Sequence, residues 1–563
     1  MQHENLEFGN MSVENGTADW QADHNQALAP QERPQGEMEI TIAAVVAEVI
    51  GVRAVPRTAS LFDLGLDSLS VTVACARLEQ ATGVLVRFSQ LFRTPTIELL
   101  AAWVDTAREK LNINHSSPAK TARRSTAELV AITPVQAANV PAGTVVKVAW
   151  WFDGALDEVA LESAANDIHI RHQALHAKYL DGVDLGLAEV PADPEDVQFH
   201  LLGQEADDAA ASDVFWPTLR NPLRLGEGEV WRCALVRSGQ TGRTLFGLTV
   251  DHTAFDGRSW DILTAELSLA YAARVAGTAP HWPDRTASLA EMAADFRHQL
   301  ASADAEAQRR YWQNELGELP ACRLPRRPDA PEIQATGATV WSPPGPATRR
   351  EFSIPESQLR SWEAYARANG MATSVGIAAA YVAAIVRAGA PRDFGLEVSI
   401  ANLAGETIDR TITNRVADVV LRPNAPSRSG HSIARMRDVY HNAMAERDIL
   451  VDPKELGKLH TGREGGGIPL HKMASMFYNS VPDLSLGGMP GTLTAEEGGE
   501  RRIPFAVMLQ VVPVPEGLDI ALSLRIDMHD GALADDIRQH FLDIIGDGPE
   551  RLELEDLDAS IGR

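Results

Sequence analysis

The sequence predicts a small α-helical bundle followed by a much larger α/β domain, and three observations predict it. Three amphipathic runs crowd into roughly 75 residues between 38 and 111. From residue 129 onward, segments that alternate apolar and polar residues take turns with segments of helical period. Between the two, Asn112 to Glu128 (NINHSSPAKTARRSTAE) is almost free of aliphatic side chains and reads as a linker.

The elements follow in order. Ile42, Val45, Val46, Val49 and Ile50 recur with helical spacing, and Gly51 stops the run. A second helix opens near Ser68, with Val71, Cys75 and Leu78 on one face before Gly83, which makes Cys75 a core side chain. The third is expected to begin with Thr94 as N-cap and Pro95 at its first position, and carries Ile97, Leu100, Ala101 and Val104. Past the linker, Val146, Val148, Trp150 and Phe152 alternate as a strand, and Leu161, Ala164, Ala165 and Ile168 repeat as a helix. Trp231, Cys233 and Leu235 form a strand that turns at 238–242 into the continuously apolar strand Leu245 to Val250. Ser374 to Arg387 is apolar nearly all round, as a buried helix is. Leu518 to Met528 keeps a strict period of two.

Composition narrows the function. A chain of 563 residues corresponds to roughly three or four compact units of about 150 residues. Lys and Arg number 51 against 77 Asp and Glu, a net charge of −26 that argues against nucleic acid and membrane surfaces as partners. Cys75, Cys233 and Cys322 are too few and too scattered for a disulfide framework or a zinc ribbon, and no metal is expected. The first ten residues lack a basic and an apolar region, and the longest apolar stretch, Val375 to Val386, falls short of the ~18 residues that span a bilayer. A cytoplasmic location is expected. Residues 1–37 hold seven acidic residues and one Arg33 with few aliphatics, the composition of a disordered tail.

Two short segments carry chemistry. In Phe62-Asp63-Leu64-Gly65-Leu66-Asp67-Ser68-Leu69 a hydroxyl stands at a helix start after a glycine-containing turn. Ser68 there is either an N-cap or the attachment point of an anion, which a helix N-terminus favours. In Asp251-His252-Thr253-Ala254-Phe255-Asp256-Gly257 a histidine ends a buried strand. With an unperturbed pKa of about 6.5 it suits acid–base work; the competing reading is a core histidine beside a turn aspartate. Asp256 would orient the loop by an ion pair or by backbone hydrogen bonds, Gly257 would permit a tight backbone path, and Ser259 would cap the next helix.

Residues 38–111 resemble the phosphopantetheine-binding carrier domains of thiotemplate assembly lines, whose motif L-G-x-D-S-L matches Leu64 to Leu69; Leu91 to Thr96 is similar to the stretch leading into that family's last helix. The resemblance implies a 4′-phosphopantetheine arm covalently bound to Ser68. Residues 129–552 resemble the condensation domains of nonribosomal peptide synthetases, with the signature His-His-x-x-x-Asp-Gly read here as Asp251, His252, Asp256 and Gly257. Thr133 to Gln136, Arg171 to Leu175, Asn221 to Leu223 with Trp231-Arg232, Asp393 to Gly395, and Val416 to Arg422 fall in the family's order. This implies a two-lobed, chloramphenicol acetyltransferase-like α/β fold over 129–563, with an N lobe of about 129–340 and a C lobe of about 341–563. It also implies that His252 positions or deprotonates the nucleophile and that Asp256 acts structurally. The chain departs from the family at Asp251, at Arg258 in place of tryptophan, at Leu403 in place of the arginine thought to pair with the motif aspartate, and at Ala417 near an asparagine. Arg410 or Arg415 is a candidate replacement cation.

The function expected is therefore a carrier–condensation didomain that moves an acyl or aminoacyl group from Ser68 to an amine or alcohol in natural-product biosynthesis. With no room for an adenylation domain, its expected partners are an adenylating enzyme in trans, a phosphopantetheinyl transferase, and an acceptor carrier protein or small nucleophile. The rivals are a non-catalytic carrier and docking platform with a degenerate second domain, and an epimerisation-type domain. Other features carry less. Gly462 to Gly467 lacks the Lys-Ser/Thr of a phosphate loop, Gly487 to Arg502 is a crossing or lid loop between lobes or a plain surface loop, and His169, His172 and His176 are read as structural.

Overall fold

The computed structural model describes residues 28–66, 68–84, 86, 88–113, 127–180, 186–301, 304–317, 319–333, 344–401, 406–425, 432–451, 470–478, 483–494 and 501–552. Most of the acidic tail, Asp67, most of the linker, Leu403 and the Gly462 to Gly467 loop lie outside them. The chain divides into two compact units, one of Met1–Lys120 with Ser361–Gly376 and Leu403–Gly405, the other of the remainder.

Among the described residues the first bundle has four helices where three were expected: α1 (Gly36–Ile50), α2 (Ser68–Thr82), the short α3 (Phe88–Arg93) and α4 (Ile97–Ile113). Ile42, Val46, Val71, Leu78, Leu100 and Val104 are fully buried, so the periodic stripes are the core, and Cys75 joins them. Regular structure reaches back into the acidic segment, because Pro30–Glu32 forms a turn whose last carbonyl takes the Arg57 N–H at 2.8 Å. The cap of α4 also differs from expectation. Thr94 closes α3, its hydroxyl donating to the Gln90 carbonyl at 2.8 Å, and Thr96 caps α4, accepting the Leu99 N–H at 3.3 Å. Pro95 therefore sits between two helices rather than at the first position of one.

In the second unit, β1 (Val145–Phe152), β2 (Gln198–Glu205), β3 (Trp231–Ser238) and β4 (Thr244–Asp251) form most of a six-stranded sheet. β4 is central, antiparallel to β1 on one side and β3 on the other, and every residue in it is buried, which explains its continuous apolar run. α5 (Glu158–Arg171) and α6 (Ser259–Val275) share a core with this sheet through Leu161, Ile168, Leu263 and Leu267; Cys233 lies in the same core.

A seven-stranded sheet follows, built from β5 (Gly345–Pro355), β6 (Leu396–Ala401), β7 (Val416–Leu421), β8 (Ala474–Tyr478), β9 (Val507–Val514) and β10 (Gly517–Arg525). Its order is β7-β6-β8-β9-β10-β5, with Arg502–Ile503 at the edge. The period-two run ends at Arg525 rather than Met528, since the Arg525 guanidinium folds onto Asp527 and the chain turns there. α7 (Thr373–Arg387) buries Ile377, Ala380, Tyr381, Ala384 and Ile385, and among the described residues no single helix is long and apolar enough to cross a membrane.

The described start of the Gly487 to Arg502 stretch, up to Thr494, crosses as a strand. Ser485–Leu486 and Met489–Thr494 form a hairpin whose second arm pairs antiparallel with β1, Gly491 opposite Phe152 and Leu493 opposite Trp150. The six-stranded sheet is thus completed by chain from late in the sequence. Glycine is required at 491: a Cβ there would lie 2.8 Å from Phe152 Cζ and 2.9 Å from Trp150 Cβ. Gly491→Ala is expected to cost about 1–3 kcal/mol of stability through overpacking, read as a lower midpoint in urea unfolding at unchanged slope.

Candidate active site

β4 delivers His252 to the end of the six-stranded sheet, and both sides of the residue are held. Its N–H donates to the Thr144 carbonyl at 2.8 Å, and its carbonyl accepts from Asn414 Nδ2 at 2.5 Å. The Asn414 amide is itself oriented, because its Oδ1 accepts the Val416 N–H at 3.1 Å. The imidazole is partly exposed, and Nε2 makes no hydrogen bond among the described residues.

Asp256 is buried and acts as the knot of the loop. Its Oδ1 accepts the N–H groups of Arg258 at 3.1 Å and Ser259 at 3.0 Å and the Ser259 hydroxyl at 3.0 Å, while Oδ2 accepts the Arg415 N–H at 3.0 Å. Asp256, not Ser259, therefore caps α6. Backbone amides take the place of the ion pair weighed above: the Arg415 guanidinium lies 3.2 Å from Asp295, and Arg410 pairs with Asp284. Gly257 is exposed at the turn.

Every residue of Thr411 to Arg415 is tied to chain between Gln136 and Ala287. The Thr411 hydroxyl accepts the Ala287 N–H at 2.8 Å, the Ile412 N–H donates to His172 Nδ1 at 3.1 Å, and the Thr413 hydroxyl takes Gln136 Nε2 at 3.3 Å. Thr413 also brackets the Ser259 hydroxyl with its N–H at 3.3 Å and its carbonyl at 3.0 Å. Asn414 holds His252 and Arg415 holds Asp256 as described. The family-ordered segments at 133–136, 171–175 and 251–259 thus converge on one stretch of chain. Two others pair by themselves: Arg422 grips Asp393 with two bonds of 2.8 and 2.7 Å, and Arg232 holds the carbonyls of Thr218 and Asn221 at 3.1 and 3.0 Å.

The departure at Asp251 is structural in effect. The side chain is buried, accepts the Thr253 N–H at 2.8 Å to shape the turn, and is held above the usual carboxylate range by burial. Leu403 lies outside the described residues. Sequence reasoning passed over Asn414, whose only signal was an amide at the start of a strand, and over the carboxyls of Asp418 and Glu397 on β7 and β6.

The three histidines at the end of α5 are core groups. Trp231 Nε1 donates to His169 Nδ1 at 2.8 Å, so the ring is neutral with its proton on Nε2, 3.0 Å from the Glu195 carbonyl, and burial lowers its pKa to about 4. His172 and His176 are lowered as well, chiefly by burial.

Comparison with known proteins matches residues 140–449 to the condensation domain family and residues 41–104 to the phosphopantetheine attachment site. The chain belongs to the condensation domain family, and a phosphopantetheine-binding domain precedes that domain, the carrier–condensation architecture of nonribosomal peptide synthetases. It is 25% identical over 94% of its length to a probable non-canonical nonribosomal peptide synthetase, CymA, of Salinispora arenicola, and 24% identical over 88% to a dimodular nonribosomal peptide synthase of Bacillus subtilis. It spans only 7% and 21% of those two proteins. Among solved structures it is similar to the X-domain of teicoplanin biosynthesis in its complex with OxyB (TM-score 0.63, 18% identity, 78% of this chain and 97% of that one). The condensation domain of the monacolin K polyketide synthase MokA gives a TM-score of 0.62 at 16% identity, over 76% of this chain and 99% of that one. These likenesses establish the chloramphenicol acetyltransferase-like fold.

Two outcomes test the geometry. Asp256→Asn turns one acceptor into a donor facing N–H groups and should cost about 1–3 kcal/mol in urea unfolding. His169, with a folded pKa below its unfolded value of about 6.5, is neutral in the native state where the unfolded chain binds a proton. Stability should therefore fall as pH drops from about 6.5 toward 4, by up to ~1.4 kcal/mol per unit from this residue, and His169→Gln should flatten that slope.

Proposed function

We propose that the chain is a carrier–condensation didomain in which the site at His252 transfers an acyl or aminoacyl group from phosphopantetheine on Ser68 to an amine, forming an amide. An alcohol in place of the amine would give an ester. Ser68 is the first residue of the 15-residue helix α2, Gly65 at φ 109° turns the chain just before it, and no acidic side chain occupies the first helical turn. That end of a helix favours the phosphodiester anion of the arm. The arm, when attached, supplies a thiol that holds the acyl group as a thioester.

His252 supplies proton handling. A neutral imidazole accepts the proton of the attacking amine, and the Asp418 carboxyl stands within electrostatic reach of it. The observation that carries this reading is the double clamp of Thr144 and Asn414 on the backbone of His252 beside a partly exposed ring. It fixes the base before substrate arrives, and alignment of this kind supplies several kcal/mol of a barrier. Asp256 and Gly257 shape the loop that presents it. In this reading an adenylating enzyme loads the arm in trans, a phosphopantetheinyl transferase installs it, and the acceptor is carrier-bound or a small molecule.

His252→Ala should lower amide formation by about 10²-fold or more while leaving arm attachment intact, as read by intact mass spectrometry of the loaded protein with candidate amines. Ser68→Ala should gain no mass on incubation with a phosphopantetheinyl transferase; a gain would overturn the attachment site.

A further inference from the structure

The seven-stranded sheet has one apolar and one polar face. On β6 and β7, Leu396, Ala417, Val419 and Leu421 are buried on one side, and by strand alternation Glu397, Ser399 and Asp418 stand on the other. Asp418 is opposite Ser399 and accepts its hydroxyl proton at 2.7 Å. Glu397 is 5% exposed, its register neighbours are Val420 and Ser475, and it has no hydrogen-bond partner among the described residues. The Ser475 hydroxyl, on the same face, is fully buried and also makes no hydrogen bond.

This face belongs to the site. Val416 donates to Asn414, which holds His252, and Asp418 lies two residues further along the same strand face, about 7 Å on. Asp418 interacts electrostatically with His252 on one side and with Glu397 on the other. Among the described residues no Lys or Arg forms an ion pair with either carboxyl. Along the register Val420–Glu397–Ser475–Met508–Ser523–Arg349, the first basic residue is four strands from Glu397, roughly 19 Å at ~4.8 Å per strand, and it is paired with Glu351. Burial pushes both carboxyls above the usual range, and the neighbouring Asp418 pushes Glu397 further. A buried carboxyl beside a half-buried one, with no Lys or Arg paired to either among the described residues and an idle hydroxyl next to them, is a costly arrangement for an empty site and a favourable one for a site that receives a cation.

We propose that the nucleophile taken by this site is an amine carrying a second, protonated nitrogen, which Asp418, Glu397 and Ser475 hold while the free amine faces His252. The class covers a small diamine and an aminoacyl thioester with a basic side chain. The inference rests on the acyl-transfer reading for the chemistry, not for the binding. In the transfer the amine nitrogen bonds to the acyl carbon, the carbon–sulfur bond breaks, and the amine proton passes through His252 to the departing thiolate. The second nitrogen keeps its charge throughout.

The test is calorimetric binding of 1,4-diaminobutane and 1-aminobutane to the full chain without its arm. The diamine should bind at least tenfold more tightly, His252→Ala should keep that preference, and Asp418→Asn with Glu397→Gln should erase it. Asp418→Lys, which places a cation in the site, should reverse it. Lysyl and norleucyl N-acetylcysteamine thioesters, titrated in parallel, separate the carrier-bound class from the small diamine. Equal binding of diamine and monoamine together with equal binding of the two thioesters, or a preference that survives both carboxyl substitutions, overturns the proposal. So does uptake of solvent deuterium at Cα of a loaded aminoacyl group that depends on Glu397, since the pair would then move protons rather than hold a cation. Loss of turnover in His252→Ala with the preference intact leaves both readings standing, whereas full turnover in that variant ends the general-base reading alone.

Discussion

The second unit depends on one short stretch, Thr411 to Arg415, laid across the end of the six-stranded sheet. Five consecutive residues make hydrogen bonds to six residues distant in sequence: Ala287, His172, Gln136, Ser259, His252 and Asp256. Each bond is worth about 1 kcal/mol net, yet leaving any buried partner unpaired costs more than the bond supplies. The stretch therefore behaves as a unit, and the position of His252 is a consequence of its docking rather than of the loop alone.

The crossing hairpin works in the same direction. β4 reaches the site from the middle of a sheet whose last strand comes from Met489–Thr494, while β7 reaches it from the other sheet directly after the docked stretch. Chain from both halves of the unit thus fixes the histidine and brings Asp418 within electrostatic reach of it. Long-range closure of this kind gives a rigid site on regular elements, which is what alignment of two reactants requires. The substitutions that set this chain apart from its family fit the scheme, for Asp251 shapes its own turn and Asp256 is satisfied by amides without an arginine.

Much of this was legible from residue order. The stripes at Ile42 to Ile50 and Ile97 to Val104, the alternation at Val146 to Phe152 and the run Leu245 to Val250 all became the elements expected, because period and burial are local consequences of side-chain polarity. Errors clustered at helix ends, where hydroxyl and carboxylate side chains compete for the same orphan amides: Thr96 took the cap expected of Thr94, and Asp256 the one expected of Ser259. A fourth carrier helix, Phe88–Arg93, was too short to show a period.

By itself, then, the sequence determined the division into a helical bundle and an α/β domain, the identity of Ser68 and His252 as the residues to watch, and the reading of His172 as structural. Only the tertiary structure decided what holds them. Partners of His252 lie 162 residues away at Asn414, and the carboxyls of Glu397 and Asp418 share a face only through the pairing of β6 with β7. A hydrogen bond between distant residues leaves no periodic trace, and a lone acidic residue in a strand reads the same whether its charge meets an arginine, solvent or another carboxyl. Register and burial settle that, and they exist only in the folded chain.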